Sequence, residues 1–179
     1  AKPIGVIGAL SPSTNPEATP VIKAISALKG KNSIVIAPHP RAKGTNKLIV
    51  DKMREAIVKC GGPADLVISI DEPSMLKTNE LMKQCDRVLA TGGSAMVTSA
   101  YSSGTPALGV GVGNAVITVD DTANLKDAAD KIRISKTLDL AASCSADNSV
   151  LLFDSIYDEM LGLLKEQGGV VLNNGEKAK

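Results

Sequence analysis

Tryptophan is absent from this chain, and aromatic residues make up only 2% of it. The core must therefore be filled by Ile, Val, Leu, Ala and Met, a mix that suits layered α/β packing better than a β-sandwich. No basic run is interleaved with aromatic platforms, and the formal net charge is only +1, so nucleic-acid binding finds no support. No apolar stretch is long enough to cross a bilayer. The N-terminus lacks a charged segment followed by a signal-type apolar core, and the expected location is the cytoplasm. Cysteine is scarce, three residues at irregular spacing, which argues against a disulfide scaffold and for a reducing compartment. His39 is the only histidine, so a Cys–His pair has one possible partner. Set between two prolines, it reads first as a surface turn residue. No metal site is expected.

What is present is ordinary for a globular protein: 179 residues, 44% hydrophobic and 22% charged, with 16 glycines. Short apolar runs alternate with helical patterns. Pro3 to Leu10, Ser33 to Ala37, Leu66 to Ser69, Arg87 to Thr91 and Pro106 to Val110 read as strands. Between them, helices are predicted to Leu28 (with Asn15 as cap and Pro16 at the first position), from Gly44 to Cys60, from Ser74 to Gln84, and from Gly92 to Tyr101. This alternation implies right-handed crossovers and a parallel, Rossmann-like α/β sheet with flanking helices, which binds ligands beyond the carboxyl ends of its strands.

The character changes between Gly111 and Asn114, where a boundary is expected, giving portions 1–112 and 113–179. The second portion reads as a strand at Ala115 to Val119, a helix from Leu125 to Ile134, a strand at Ser149 to Phe153, a helix from Ile156 to Gln167 and a short strand at Val170 to Leu172, with a frayed tail from Asn174 to Lys179.

Several segments could carry chemistry. Thr91-Gly-Gly-Ser94 joins a strand to a helix, where glycines let backbone N–H groups face a phosphate; alone it is equally well a tight turn. The glycine-rich run Gly109 to Asn114 is either a place of close cofactor approach or a hinge, and neither segment has the G-x-G-x-x-G spacing after the first strand. Cys60 and Cys85, near helix C-termini, read as packing residues. Cys144 differs, standing among Ser143, Ser145, Asp147 and Asn148 with no hydrophobic run to bury it. It is either a small buried residue near a turn or a thiol ionised enough to attack a carbonyl.

Taken together and in order, Gly5-Val-Ile-Gly8, Pro12-Ser-Thr-Asn-Pro16, Ala37-Pro-His-Pro-Arg-Ala-Lys43, Leu89-Ala-Thr-Gly-Gly93, Ala100-Tyr-Ser-Ser-Gly104, Pro106 to Asn114 and the Cys144 segment resemble the CoA-acylating branch of the aldehyde dehydrogenase superfamily. Within that branch the Ser143 to Ser149 wording is most similar to the members that act on sulfoacetaldehyde. The resemblance implies a partial aldehyde dehydrogenase fold: a dinucleotide-binding portion over 1–112, then the start of the catalytic α/β domain. It implies NAD(P)-dependent oxidation of a short aldehyde, such as sulfoacetaldehyde or acetaldehyde, to an acyl-CoA, with coenzyme A as acyl acceptor.

By this resemblance Cys144 matches the nucleophile and Asn15 the amide that stabilises the oxyanion. Ser11, Pro12 and Thr14 fall in the cofactor-facing loop. Pro38, His39 and Arg41 fall where the adenosine part is held; Thr91, Gly92 and Gly93 match the turn facing the diphosphate or nicotinamide. Gly109 and Gly111 fall in the glycine-rich run. Arg41 and Lys43 could meet a 2′-phosphate or stand as solvated charges, which leaves NAD and NADP both open.

Hydrolytic relatives carry Glu-Leu-Gly-Gly where this chain reads Gly109-Val-Gly-Val112, so the water-activating glutamate is replaced by Gly109, in favour of a thiol acceptor. Family chains are considerably longer and form homo-oligomers in their full-length form. The alternative reading is therefore a truncated, non-catalytic module that binds a nucleotide or a partner chain.

Overall fold

The computed structural model describes residues 2–177. The chain divides into two compact units, Ala1–Val112 and Gly113–Lys179.

In the first unit, β1 (Val6–Ser11), β2 (Ser33–Pro38), β3 (Val67–Ser69), β4 (Arg87–Thr91) and β5 (Ala107–Val110) form one parallel sheet in the order β3-β2-β1-β4-β5. The helices α1 (Ala18–Lys29), α2 (Lys43–Lys59), α3 (Met75–Gln84) and α4 (Ser94–Tyr101) make the crossovers. β1 lies at the centre, and its side chains alternate between two cores, as a doubly covered strand requires. Ile7 and Ala9 pack with Ala24 and Ala27 of α1 and Val50 of α2. Leu10 packs on the opposite face with Met82, Cys85 and Ala100. Gly8 also faces that side, where a Cβ would come within 2.7 Å of the Cys85 sulfur; α3 can approach the sheet this closely only because Gly8 has no side chain. Chain order reverses between β1 and β4, and crevices open at such a point.

The second unit holds a parallel pair, β6 (Ala115–Val119) and β7 (Asp147–Leu152), with α5 (Leu125–Thr137), α6 (Tyr157–Glu166) and the short α7 (Asn174–Lys177). Its core is Val119, Ala129, Ile132, Ile156 and Met160.

Several expectations need correction. Asn15 does not cap α1. The chain turns once more after Pro16, the N-cap position falls on Glu17 without a side-chain cap, and Asn15 contributes its carbonyl, accepting from Thr19 N at 3.2 Å. Cys85 is buried as expected, but Cys60 is exposed. Val170 to Leu172 is irregular, because no ladder takes up its backbone among the described residues. In the expected tail, Asn174–Lys177 forms one helical turn, and Ala178 and Lys179 lie outside the described residues.

Candidate functional site

The carboxyl ends of β1, β2 and β4 open onto a cavity of about 130 Å³. Ser11 and Pro12 follow from β1, Pro38, His39 and Pro40 from β2, and Thr91, Gly92 and Gly93 from β4. Seven of the residues singled out in the sequence meet here: Ser11, Pro12, Pro38, His39, Thr91, Gly92 and Gly93. Thr14, Asn15, Arg41, Gly109 and Gly111 do not line it.

Local structure sets each group. Gly93 is the N-cap residue of α4, and a Cβ there would meet nothing within 4 Å, so the backbone at this helix start is open to approach. His39 adopts an extended conformation and caps the 3₁₀ turn Pro40–Ala42, its Nδ1 accepting from Arg41 N at 3.2 Å. Ser11 is 6% exposed, and its Oγ is buried without a hydrogen-bond partner. An orphan hydroxyl of this kind is costly unless something else supplies the partner. Beneath the sheet ends, Lys23 of α1 donates to Leu10 O at 2.7 Å and Leu89 O at 2.8 Å, tying β1 to β4 where they border the cavity. Burial pushes its pKa down from 10.5 to about 7.

Residues of the α3 start complete the wall: Pro73, Ser74, Met75 and Thr78, with Met96 from α4. Sequence reading did not single these out. One signal pointed to them: Ser74 opens the helix that follows β3, so it must share the carboxyl edge of the sheet with the end of β2. Ser74 Oγ accepts from Lys77 N at 3.2 Å and fixes this helix start.

Gly109 sits on β5, the edge strand. A Cβ at this position would lie 2.6 Å from Val97 Cγ1 and 2.9 Å from Tyr101 Cε2, and its N–H donates to the Tyr101 hydroxyl at 2.9 Å. No side chain fits at 109 while Tyr101 holds this place.

Cys144 belongs to the second unit and is exposed, so the reading of it as a buried packing residue fails. It lies in the turn before β7. The flanking hydroxyls of Ser143 and Ser145 are 2.8 Å apart, and Ala146 N donates to Ser143 O at 3.1 Å. Lys136 Nζ holds Asn148 Oδ1 at 2.9 Å on the far side of the turn. Just upstream, Asp139, Leu140 and Ala141 have φ of 51°, 52° and 63°, three consecutive left-handed residues without a glycine. Each such residue costs about 1–2 kcal/mol. Among the described residues no group of His, Cys, Asp and Glu could hold a metal ion, and no helix is long and apolar enough to cross a membrane.

The first unit is a doubly wound sheet with a crevice at its switch point, and the second unit carries an exposed thiol. Residues 1–173 match the aldehyde dehydrogenase family model, and the chain belongs to that family. It is 52% identical over 177 residues to a sulfoacetaldehyde dehydrogenase of Acholeplasma sp, covering 99% of this chain and 37% of that protein. An acetylating aldehyde dehydrogenase of Geobacillus thermoglucosidasius superposes with a TM-score of 0.93 at 41% identity, covering 99% of this chain and 40% of the other. A propionaldehyde dehydrogenase of Rhodopseudomonas palustris, solved with bound CoA and an acylated cysteine, gives 0.91 at 34% identity, with 99% and 41% covered. The chain thus spans well under half the length of these relatives.

Proposed function

We propose that this chain carries the cofactor-binding and nucleophile-bearing part of an NAD(P)-dependent, CoA-acylating aldehyde dehydrogenase acting on a short aldehyde such as sulfoacetaldehyde or acetaldehyde. Residues 1–112 are the dinucleotide-binding portion, and 113–179 begin the catalytic domain. One observation carries the reading: in a chain of this family, Cys144, which the resemblance matches to the nucleophile, is exposed in a turn rather than packed.

The residues of the cavity fit a dinucleotide. Orphaned Ser11 Oγ offers a hydrogen bond to a bound hydroxyl or phosphate, and the open backbone at Gly93, at the start of α4, suits a diphosphate. Pro38 and His39 form the adenosine side, with Arg41 beyond them. A bound nicotinamide supplies the hydride acceptor.

The chemistry falls to Cys144. Its thiolate attacks the aldehyde carbonyl, forming a C–S bond and an oxyanion. Asn15 keeps the part the resemblance gives it, an amide that stabilises an oxyanion. Loss of hydride from that carbon leaves a thioester on Cys144. The thiolate of coenzyme A then takes the acyl group and Cys144 departs as thiolate. No base stands at Gly109 to activate water, and a thiol acceptor needs less help from one.

The test is nucleotide reduction with acetaldehyde and sulfoacetaldehyde, with and without CoA, on this chain and on Cys144→Ser. Sustained reduction should require CoA, and Cys144→Ser should abolish it while nucleotide binding persists. Full activity in Cys144→Ser refutes the assignment. Nucleotide binding without turnover in the unaltered chain would favour the binding-module reading.

A further inference from the structure

The second unit has a cavity of its own, of about 400 Å³, at the carboxyl ends of α5 and α6. Its form follows from how α6 stops. Gly168 turns left-handed with φ of 94° and donates its N–H to Lys165 O at 2.9 Å, and Gly169 N donates to Leu164 O at 2.9 Å. The chain leaves the helix sharply here, and Val170 and Val171 line the cavity together with Leu161 and Leu164 of α6 and Ile132 of α5. Val170 is apolar yet 80% exposed.

Charge around this apolar floor is one-sided. Arg133, Lys136 and Lys165 line the cavity, and no Asp or Glu does. Two of the three are partly engaged. Arg133 donates from Nη2 to Asp130 Oδ1 at 2.7 Å and from Nε to Gln167 Oε1 at 2.9 Å, and Lys136 donates to Asn148 Oδ1 at 2.9 Å. Lys165 makes no ion pair among the described residues.

A cation in the last turn of a helix is ordinary, because it complements the helix dipole. That role does not use up these groups. The carbonyls of Leu163, Leu164 and Lys165 already accept from Gln167, Gly169 and Gly168, so the end of α6 is closed by its own backbone and the Lys165 ammonium is left over. Arg133 stands a full turn before the end of α5. An apolar floor edged by cations and by no acid matches a molecule with an apolar body and one anionic head. The volume falls in the range of roughly 300–1,000 Å³ of small-molecule sites, which favours a small amphiphile over a protein segment.

We infer that this cavity binds a medium-chain alkyl carboxylate, with the chain against Leu161, Leu164, Val170 and Val171 and the carboxylate among Lys165, Arg133 and Lys136. The site belongs to the second unit, whereas the nucleotide crevice belongs to the first, so it stands or falls apart from the proposed reaction.

Octanoate is the probe, titrated by calorimetry into the whole chain without nucleotide, aldehyde or CoA, beside 1-octanol and acetate. One octanoate should bind per chain, at least about fivefold tighter than 1-octanol, the gain expected of one partly exposed charge pair. Acetate, which has the head without the chain, should not bind at the same concentration. Lys165→Glu should weaken octanoate by at least about fivefold and leave 1-octanol within about twofold. Val170→Asp, in an exposed irregular segment, should weaken both. In an isotopically labelled chain, octanoate should shift the amide resonances of Gly168, Gly169, Val170 and Val171 and leave those of Gly92 and Gly93 in place. Absence of octanoate binding, equal binding of 1-octanol, binding that Lys165→Glu leaves unchanged, or shifts centred on the first unit each overturn the inference. A dimer in sedimentation that Val170→Asp dissolves would assign the patch to a second copy of the chain and overturn it as well.

Discussion

Lys23 ties the two strands that border the cavity, and the stability of the first unit should depend on its charge. Its ammonium group is largely buried against Leu10 O and Leu89 O, and burial lowers its pKa from 10.5 to about 7. In the unfolded chain the same group is solvated and titrates near 10.5. Between these two values the unfolded state binds a proton that the folded state does not. Folding stability must therefore rise with pH across the window from about 7 to 10.5, by at most about 1.4 kcal/mol per pH unit. Below about pH 7 both states are charged and the full cost of burial, on the order of 5 kcal/mol, is present. Above 10.5 both are neutral and the cost is gone. The two short carbonyl contacts favour the protonated form and work against this slope.

Lys23→Met removes the titration and leaves two carbonyls without this donor, an offset that does not vary with pH. Urea unfolding of both proteins at pH 7.5, 8.5 and 9.5, followed by circular dichroism, isolates the effect, since every other group titrates alike in the two. The unaltered chain should gain on the variant at each step. Parallel curves would show that Lys23 keeps its proton at these pH values, held by the carbonyls, and would refute the reasoning.

Two further outcomes follow from packing. Gly109→Ala places a methyl group 2.6 Å from Val97 Cγ1 and 2.9 Å from the Tyr101 ring, and should cost about 1–3 kcal/mol in a urea titration. In a Tyr101→Ala background the same substitution should cost less, and equal costs in both backgrounds would show that the ring is not the obstacle. Alkylation of the native chain by iodoacetamide, read by intact mass, should add two groups, at Cys60 and Cys144, and a third only in urea. Cys85 is buried and its thiol is pushed up by that burial, so a native protein that takes three groups at once would contradict the packing of α3 against β1.

The architecture was readable because each strand of the first unit is a short apolar run bounded by turn residues, and the first two helices run into glycine, at Gly30 and at Gly61 after Cys60. Such runs and stops mark elements without reference to anything distant in the chain. The site was readable only in part, and the dividing line is physical. Ser11, Pro12, Pro38, His39, Thr91, Gly92 and Gly93 stand at strand ends, and topology alone brings strand ends together. What escaped depends on side chains meeting across distance: the hydroxyl of Tyr101 under Gly109 and the Lys23 bridge have no local pattern. Asn15 failed as a cap for the opposite reason. Its residue type favours a helix start, but one further turn after Pro16 moved the start to Ala18 and left only its carbonyl in use. A side chain freed from capping is one that can serve a ligand, so the failure of the structural role at Asn15 bears on the chemical one. Asn15→Ala should therefore leave stability nearly unchanged, since its backbone contact survives, while lowering turnover wherever turnover is observed. A loss of stability comparable to a missing cap, about 1 kcal/mol, would return Asn15 to the fold and take it from the oxyanion.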